Sequence, residues 1–129
     1  MPLDQVFEAS DVVVLACPLT AETRGLASRE RIAKMRPNAM LINVSRGPVV
    51  DEAAIVEALQ QRRIRGAALD VFDKQPLAPD HPLLALDNVV LTPHQGGLTI
   101  EAVERTSEVA ANETVRLLNG EPPRNFVNE

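Results

Sequence analysis

One segment, residues 41–51 (LINVSRGPVVD), constrains the fold more than any other part of this 129-residue chain. The apolar run at residues 39–44 is typical of a strand inside a parallel sheet, and the Gly-Pro pair that follows predicts a turn. Arg46 is therefore predicted at the carboxyl edge of the sheet, where ligands bind in open α/β folds. A guanidinium there can bind a carboxylate through two hydrogen bonds, although Arg46 could instead cap the loop or pair with Asp51 or Glu52.

The composition argues against several classes of partner. An apolar content of 45% is enough for a core, whereas a net charge of -5 without a basic cluster argues against nucleic acid. No stretch approaches the roughly 20 apolar residues that cross a bilayer, and no signal pattern begins the chain, so we expect a cytoplasmic protein without a membrane partner. A single cysteine and two histidines predict neither a disulfide nor a metal site.

The remaining segments alternate between strand and helix patterns, which predicts an α/β fold with a right-handed parallel sheet, half of a doubly wound domain. The first strand is apolar without interruption, so we expect helices on both of its faces. A segment with three prolines is expected to form an irregular loop before the last strand. Strands are predicted at residues 11–16, 39–44, 67–72 and 88–91, helices at 3–9, 28–35, 51–63 and 99–119, and the loop at 73–86.

Each predicted strand ends in residues that can contribute to a site. Pro18 and Thr20 follow the first strand, Arg46 the second, Asp70 lies in the third, and His94 follows the fourth. A lone histidine is more often packed or solvated than functional. Four such ends on one edge of one sheet would line a single crevice, and this coincidence favours a functional interpretation.

Four motifs, in this order and spacing, resemble the D-isomer-specific 2-hydroxyacid dehydrogenases: VLACPLTAET, INVSRGPVVD, ALDVFDKQP and LTPHQGG. The glycine-rich G-x-G-x-x-G turn and a substrate domain are not in the sequence. The resemblance therefore implies a partial Rossmann-like, doubly wound fold that lacks the N-terminal glycine-rich βαβ unit. Residues 1–120 would be the C-terminal portion of a dinucleotide-binding domain. Residues 121–129 would be a tail that packs on the absent substrate domain or on a partner chain.

The resemblance also implies catalytic roles for three residues. Arg46 matches the arginine that binds the substrate carboxylate and polarises the carbonyl, and His94 matches the histidine that gives a proton to that carbonyl oxygen. Hydride addition builds negative charge on this oxygen, which a cation and a proton donor stabilise. Gln75 stands where the family usually has a glutamate that pairs with the histidine.

Further implications concern ligands. The cofactor would be NAD or NADP, the substrate a small 2-hydroxy or 2-oxo acid, and the complete protein a homodimer, while this chain alone would be inactive. A side chain at either glycine of the fourth motif would collide with the nicotinamide. The implied cofactor-binding residues are Cys17, Pro18, Thr23, Val44, Asp70, Gly96 and Gly97.

Gln75 leaves two alternatives open. A glutamine can orient the His94 ring but adds no charge to stabilise its protonated form. Glutamine at this position resembles the formate dehydrogenase branch of the superfamily, whose reaction needs no proton transfer to a carbonyl. The chain could also be a non-catalytic module that binds dinucleotide or dimerises, although Arg46 and His94 argue against this.

Overall fold

The computed structural model describes residues 1–124, and the chain divides into two compact units, residues 1–95 and the residues from 96 onward. The first unit contains a four-stranded sheet and three α-helices. Its strands are β1 (Val12–Leu15), β2 (Met40–Asn43), β3 (Gly66–Leu69) and β4 (Val89–Leu91), and its helices are α1 (Leu3–Ala9), α2 (Arg29–Lys34) and α3 (Glu52–Gln60). Short 3₁₀ turns occur at Gly47–Val49 and Pro82–Ala85.

The sheet is parallel throughout and its strands follow one another in chain order, β1-β2-β3-β4. This confirms the predicted α/β fold with a parallel sheet and flanking helices. The strands are shorter than predicted, and Asp70 lies just after β3 instead of inside it.

The expectation that β1 is covered on both faces is wrong for the described chain. Val13 and Leu15 are each 4% exposed and belong to the core, whereas Val12 and Val14 are 49% and 56% exposed. All three connections step across the sheet in the same direction, and right-handed crossovers of that kind lie on the same face. The uninterrupted apolar run therefore does not indicate coverage by the helices of this unit.

The helices begin where the sequence predicts. The side chain of Ser28 accepts a hydrogen bond from the Arg31 amide, and that of Asp51 accepts one from Ala54, so each satisfies a free amide in the first turn. The predicted end of α3 is wrong, because Arg62 and Arg63 lie beyond the helix. Arg62 adopts a left-handed backbone conformation, with φ of 53°, which ends the helical path before a basic last turn can form.

The second unit contains α4 (Ile100–Leu118), which Thr99 caps as predicted. Gly120 has φ of 75°, as expected of a residue that ends a helix. Arg116 in the last turn contacts Glu121 at 2.8 Å and the Pro122 carbonyl oxygen at 2.9 Å, so the start of the predicted tail folds back on its own helix. Residues 125–129 of that tail lie outside the described residues. Within residues 1–124, no helix is both long and apolar enough to cross a bilayer.

Candidate active site

The register of the sheet places the ends of its strands level with one another. Leu15 is the Cα partner of Asn43, Asn43 of Leu69, and Leu69 of Leu91, so the last residues of β1 to β4 form a single row. The predicted site residues of the first unit follow this row at each strand. Their backbones therefore leave the sheet from one edge, as the sequence predicts.

Buried polar groups fix the turn that carries Arg46. The Asn43 side chain, 1% exposed, accepts hydrogen bonds from the Ser45 amide at 3.0 Å and the Ser45 hydroxyl at 2.7 Å, and it donates to the Arg46 carbonyl oxygen at 3.1 Å. The Arg46 guanidinium donates to the Ser45 carbonyl oxygen at 2.7 Å. Asp51 and Glu52, its alternative partners, instead bond the amides of Ala54 and Asp73.

A cavity of about 460 Å³ lies between the ends of β1 and β2. Four of the predicted residues line it, because the segments that follow the two strands enclose it from either side. Thr23 is nearby in the chain, and its hydroxyl donates to the Pro18 carbonyl oxygen at 2.6 Å, which holds the loop after β1 in a compact turn. The lining residues are Ala16, Cys17, Pro18, Leu19, Val44, Ser45 and Arg46.

His94 lies on an exposed turn with an uncommon backbone conformation, φ of 58°. Its Nδ1 is 3.0 Å from Oε1 of Gln75, so the glutamine contacts the ring as predicted for an orienting residue. Both side chains line a second cavity of about 540 Å³, whose wall is otherwise mainly apolar. The lining residues are Phe72, Gln75, Pro76, Leu77, Leu84, Leu91, Thr92, Pro93 and His94.

Asp70 anchors the His94 turn to β3. Its carboxylate is buried, with the residue 5% exposed, and Oδ1 accepts hydrogen bonds from the Thr92 hydroxyl and from the Gln95 amide at 2.8 Å. These two donors lie on either side of His94 in the chain. The side chain that the resemblance assigns to the cofactor therefore also holds the proposed proton donor in place.

The prediction that the strand ends line a single crevice is wrong for the described chain. Arg46 and His94 lie on one sheet edge but line two different cavities, which have no lining residue in common. A direct backbone contact links the Arg46 turn to the loop that carries Gln75. A Cβ atom added to Gly47 would lie 2.0 Å from the Phe72 carbonyl carbon and 2.4 Å from the Asp73 amide nitrogen, so only glycine allows this approach. The Arg46 turn is thus packed against the backbone that leads to Gln75.

The two remaining predicted residues, Gly96 and Gly97, belong to the second unit and form an exposed turn before α4. A Cβ atom added to Gly97 would have nothing within 4 Å. The contacts of the described chain therefore do not explain why a glycine stands at position 97. Among residues 1–124, no three His, Cys, Asp or Glu residues are grouped so that they could hold a metal ion.

Sequence reasoning missed several contacts that hold the site together. They are the hydrogen bonds of Asn43 and Thr92, the close approach at Gly47, and the contact between Glu52 Oε1 and His81 Nε2 at 3.3 Å. One signal was available for Asn43, because it is a polar side chain at the end of an otherwise apolar strand. The others act through contacts between residues 20 or more positions apart, which no local pattern indicates.

A parallel sheet with polar and charged groups along its carboxyl edge is typical of nucleotide-binding α/β domains. Comparison with known sequences makes this specific: residues 1–96 match the family described as D-isomer specific 2-hydroxyacid dehydrogenase, NAD binding domain. The chain belongs to this family, as the motifs predicted.

Individual relatives agree with this assignment. The chain is 51% identical to a glyoxylate reductase of Thermofilum pendens over 127 aligned residues. The aligned segment covers 98% of this chain and 38% of the relative. It is 44% identical to a D-3-phosphoglycerate dehydrogenase of Methanocaldococcus jannaschii, covering 98% of the chain and 24% of the relative. The chain thus spans about two fifths or less of the length of these curated relatives.

Solved structures have the same fold. The TT0316 protein from Thermus thermophilus superposes with a TM-score of 0.93 at 44% identity, over 99% of this chain and 41% of that one. A D-isomer specific 2-hydroxyacid dehydrogenase from Xanthobacter autotrophicus Py2, in complex with NADPH and MES, gives a TM-score of 0.83 at 43% identity, over 98% and 51% of the two chains.

Proposed function

We propose that this chain is the part of an NAD(P)-dependent oxidoreductase that holds the cofactor and the catalytic side chains. The complete enzyme would interconvert a small 2-oxo acid and the corresponding 2-hydroxy acid. The observation that carries the proposal is the level row of strand ends, from which the Arg46, Asp70 and His94 segments all leave on one edge. The complete protein would have this activity as a homodimer, and the chain alone would lack the rest of the substrate pocket.

The residues after β1 and β2 suit a dinucleotide. The cavity of about 460 Å³ between these strand ends is lined mainly by small and medium-sized side chains together with Arg46, so it has room for part of a dinucleotide. The open space at Gly97 allows a ligand group close to its backbone. Bound at this edge of the sheet, NAD or NADP would supply the hydride, and Cys17, Pro18, Thr23, Val44 and Asp70 of the first unit would hold it.

Arg46 would bind the carboxylate of the acid. Its backbone is fixed by buried Asn43, and one arm of its guanidinium is held on the Ser45 carbonyl oxygen. Since guanidinium has five N–H donors in a planar fork, donors remain for a bidentate carboxylate. The same positive charge would stabilise the negative charge that develops on the carbonyl oxygen.

His94 would donate the proton. With Nδ1–H donating to the neutral Oε1 of Gln75, the ring is oriented and Nε2 is the nitrogen that gains and loses a proton. In the reduction, a hydride from NADH or NADPH would add to the carbonyl carbon of the 2-oxo acid while Nε2–H of the protonated His94 ring gives its proton to the carbonyl oxygen. In the reverse direction, Nε2 of the neutral ring would remove the hydroxyl proton as the hydride leaves the carbon.

A graft tests this proposal. The matching 127 residues of the Thermofilum pendens glyoxylate reductase would be replaced by this chain, and the graft assayed with NADH and NADPH for reduction of glyoxylate and with NAD and NADP for oxidation of formate. We expect 2-oxo acid reduction that falls about 10²- to 10⁴-fold in His94→Ala and about 10²- to 10³-fold in Arg46→Ala.

Three results would contradict the proposal. Formate oxidation without 2-oxo acid reduction would favour the formate dehydrogenase alternative, which Gln75 suggests. A folded graft that binds NADH but reduces no acid would favour a non-catalytic binding module. Full activity in His94→Ala would show that His94 is not the proton donor. The unmodified Thermofilum pendens enzyme is the control for the assay conditions.

A further inference from the structure

The loop that carries Gln75 is closed by one carboxylate from α3. Oε2 of Glu52 accepts a hydrogen bond from the Asp73 amide at 2.9 Å, and Oε1 is 3.3 Å from Nε2 of His81. Gln75 lies between these two attachment points in the chain. Both oxygens of a single side chain thus fix the two ends of the segment that orients the His94 ring.

The hydrogen bonds of His81 define which of its nitrogens carries a proton. The Leu83 amide donates to Nδ1 at 3.3 Å, so Nδ1 must accept and the proton of a neutral ring lies on Nε2. Nε2–H then donates to Glu52. The ring therefore joins two functions: it caps the 3₁₀ turn whose Leu83 is fully buried, and it attaches that turn to α3.

The same loop is held against the Arg46 turn. Gly47 packs on the backbone of Phe72 and Asp73, and Glu52 lies in the first turn of the helix that follows. Two contacts, one of packing and one of hydrogen bonds, therefore join the segment after Arg46 to the segment that carries Gln75.

We propose that Glu52 and His81 are positioning residues, which set the location of Gln75, and through it the His94 ring, relative to Arg46. This inference rests on the function proposed above for Arg46, Gln75 and His94. Neither Glu52 nor His81 lines either cavity. Their effect on the reaction is exerted through the loop of residues 73–81, which they close.

Two substitutions of the same residue separate this role from simple stabilisation. His81→Asn keeps an oxygen that can accept from the Leu83 amide, but the side chain is too short to reach Glu52. His81→Gln is long enough to donate an amide N–H to Glu52, but it loses the cap. His81→Asn therefore loses the attachment to Glu52 and keeps the cap, whereas His81→Gln loses the cap and keeps the attachment.

Kinetics of the graft give the first test. We expect kcat for glyoxylate reduction to fall about 10- to 100-fold in His81→Asn, with KM for the reduced cofactor unchanged, because a displaced catalytic group costs rate and not cofactor affinity. His81→Gln should keep most of the parent kcat, even if its thermal unfolding midpoint is lower than that of His81→Asn. Equal kcat in His81→Asn and the parent graft, or a loss that follows the unfolding midpoint and not the attachment, would overturn the proposal.

A measurement on the chain itself separates failure of this inference from failure of the proposed function. In ¹H–¹⁵N spectra, the side-chain amide of Gln75 and the ring of His94 should shift in His81→Asn and stay near their original positions in His81→Gln. If these signals do not move in His81→Asn, the positioning role is wrong whether or not any graft is active. If they move as expected and the graft is inactive, it is the proposed reaction that fails.

Discussion

The Arg46 turn and the His94 turn begin at the same distance from the sheet but are held in different ways. Each residue is the third after its strand, after Asn43 in β2 and after Leu91 in β4. The Arg46 turn is built on buried Asn43 and Ser45 and leads directly into fully buried Val49. The His94 turn is exposed on the surface, in a left-handed conformation, and is tied to β3 by hydrogen bonds to Asp70.

This difference indicates what each turn contributes to the protein. The position of Arg46 is a consequence of core packing, so a change that moves it should first be seen as lost stability. The position of His94 depends on a few hydrogen bonds that the core does not require. A change there should first be seen as lost activity, because a left-handed non-glycine residue relaxes once its surroundings no longer hold it.

The largest effect is expected from Gly47→Ala, which would break the Arg46 turn. The added Cβ would lie 2.0 Å from backbone atoms of Phe72, which cannot move aside as a flexible side chain would. We expect a loss of more than about 3 kcal/mol in the free energy of unfolding, measured by urea denaturation of the chain.

Gly97→Ala is the matched control, because its Cβ would have nothing within 4 Å and its φ is not in the left-handed region. It should change the free energy of unfolding by no more than about 0.5 kcal/mol. Similar losses in the two variants would show that the close approach at Gly47 does not stabilise the Arg46 turn.

The second prediction concerns the His94 turn. Asp70→Ala removes the acceptor of the Thr92 hydroxyl and the Gln95 amide, so the turn loses its attachment to β3. In the graft, kcat for glyoxylate reduction should fall on the order of 10- to 100-fold. The free energy of unfolding of the chain should change less than in Gly47→Ala.

A substitution that removes only one of these hydrogen bonds should have a smaller effect on kcat. Thr92→Val removes one donor and keeps the side-chain shape, so the Gln95 amide still bonds Asp70 and the loss of kcat should be smaller. Asp70→Ala with unchanged kcat, or with a stability loss as large as that of Gly47→Ala, would remove the distinction between the two turns.

The sequence was sufficient to predict how the Arg46 turn forms but not how the His94 turn is held in place. An apolar run followed by Gly-Pro predicts a strand and a turn, and the structure confirms both. Ser28, Asp51 and Thr99 cap their helices as predicted, because capping needs only a short polar side chain before a helical pattern. These are local signals, and local signals can be read from sequence.

The contacts that hold the His94 turn are not local. Thr92 meets Asp70 across 22 positions and His81 meets Glu52 across 29, and nothing in the spacing of these residues distinguishes them from ordinary surface polar groups. The left-handed conformation of His94 was not predicted either, because histidine is enriched in this region but still adopts it in only a minority of cases. The resemblance implied that His94 and Gln75 form a pair, but the contacts that hold them together are visible only in the folded structure.

The smallest effect is expected at a group of partly exposed charged side chains between α1 and α2. Asp4 accepts hydrogen bonds from Lys34 Nζ and Arg31 Nε, each at 2.8 Å. These bonds, that to Lys34 first, lower the pKa of Asp4 from its usual 3.8 to about 2. Because the pKa is lower in the folded chain than in the unfolded chain, this contribution to stability is complete above the usual value and is lost as the pH falls towards 2.

Asp4→Asn should therefore lower the thermal unfolding midpoint slightly and by a constant amount at pH 5 to 7, and the difference from the parent chain should shrink between about pH 4 and pH 2. High salt at pH 7 should reduce the same difference, because exposed charges are screened. A difference that persists at pH 2 would mean that Asp4 acts through packing and not through charge. In that case the Asp4 contact would be stabilised by packing, as the Arg46 turn is. Solvent exposure would then be an insufficient reason to expect that the His94 turn is held less firmly than the Arg46 turn.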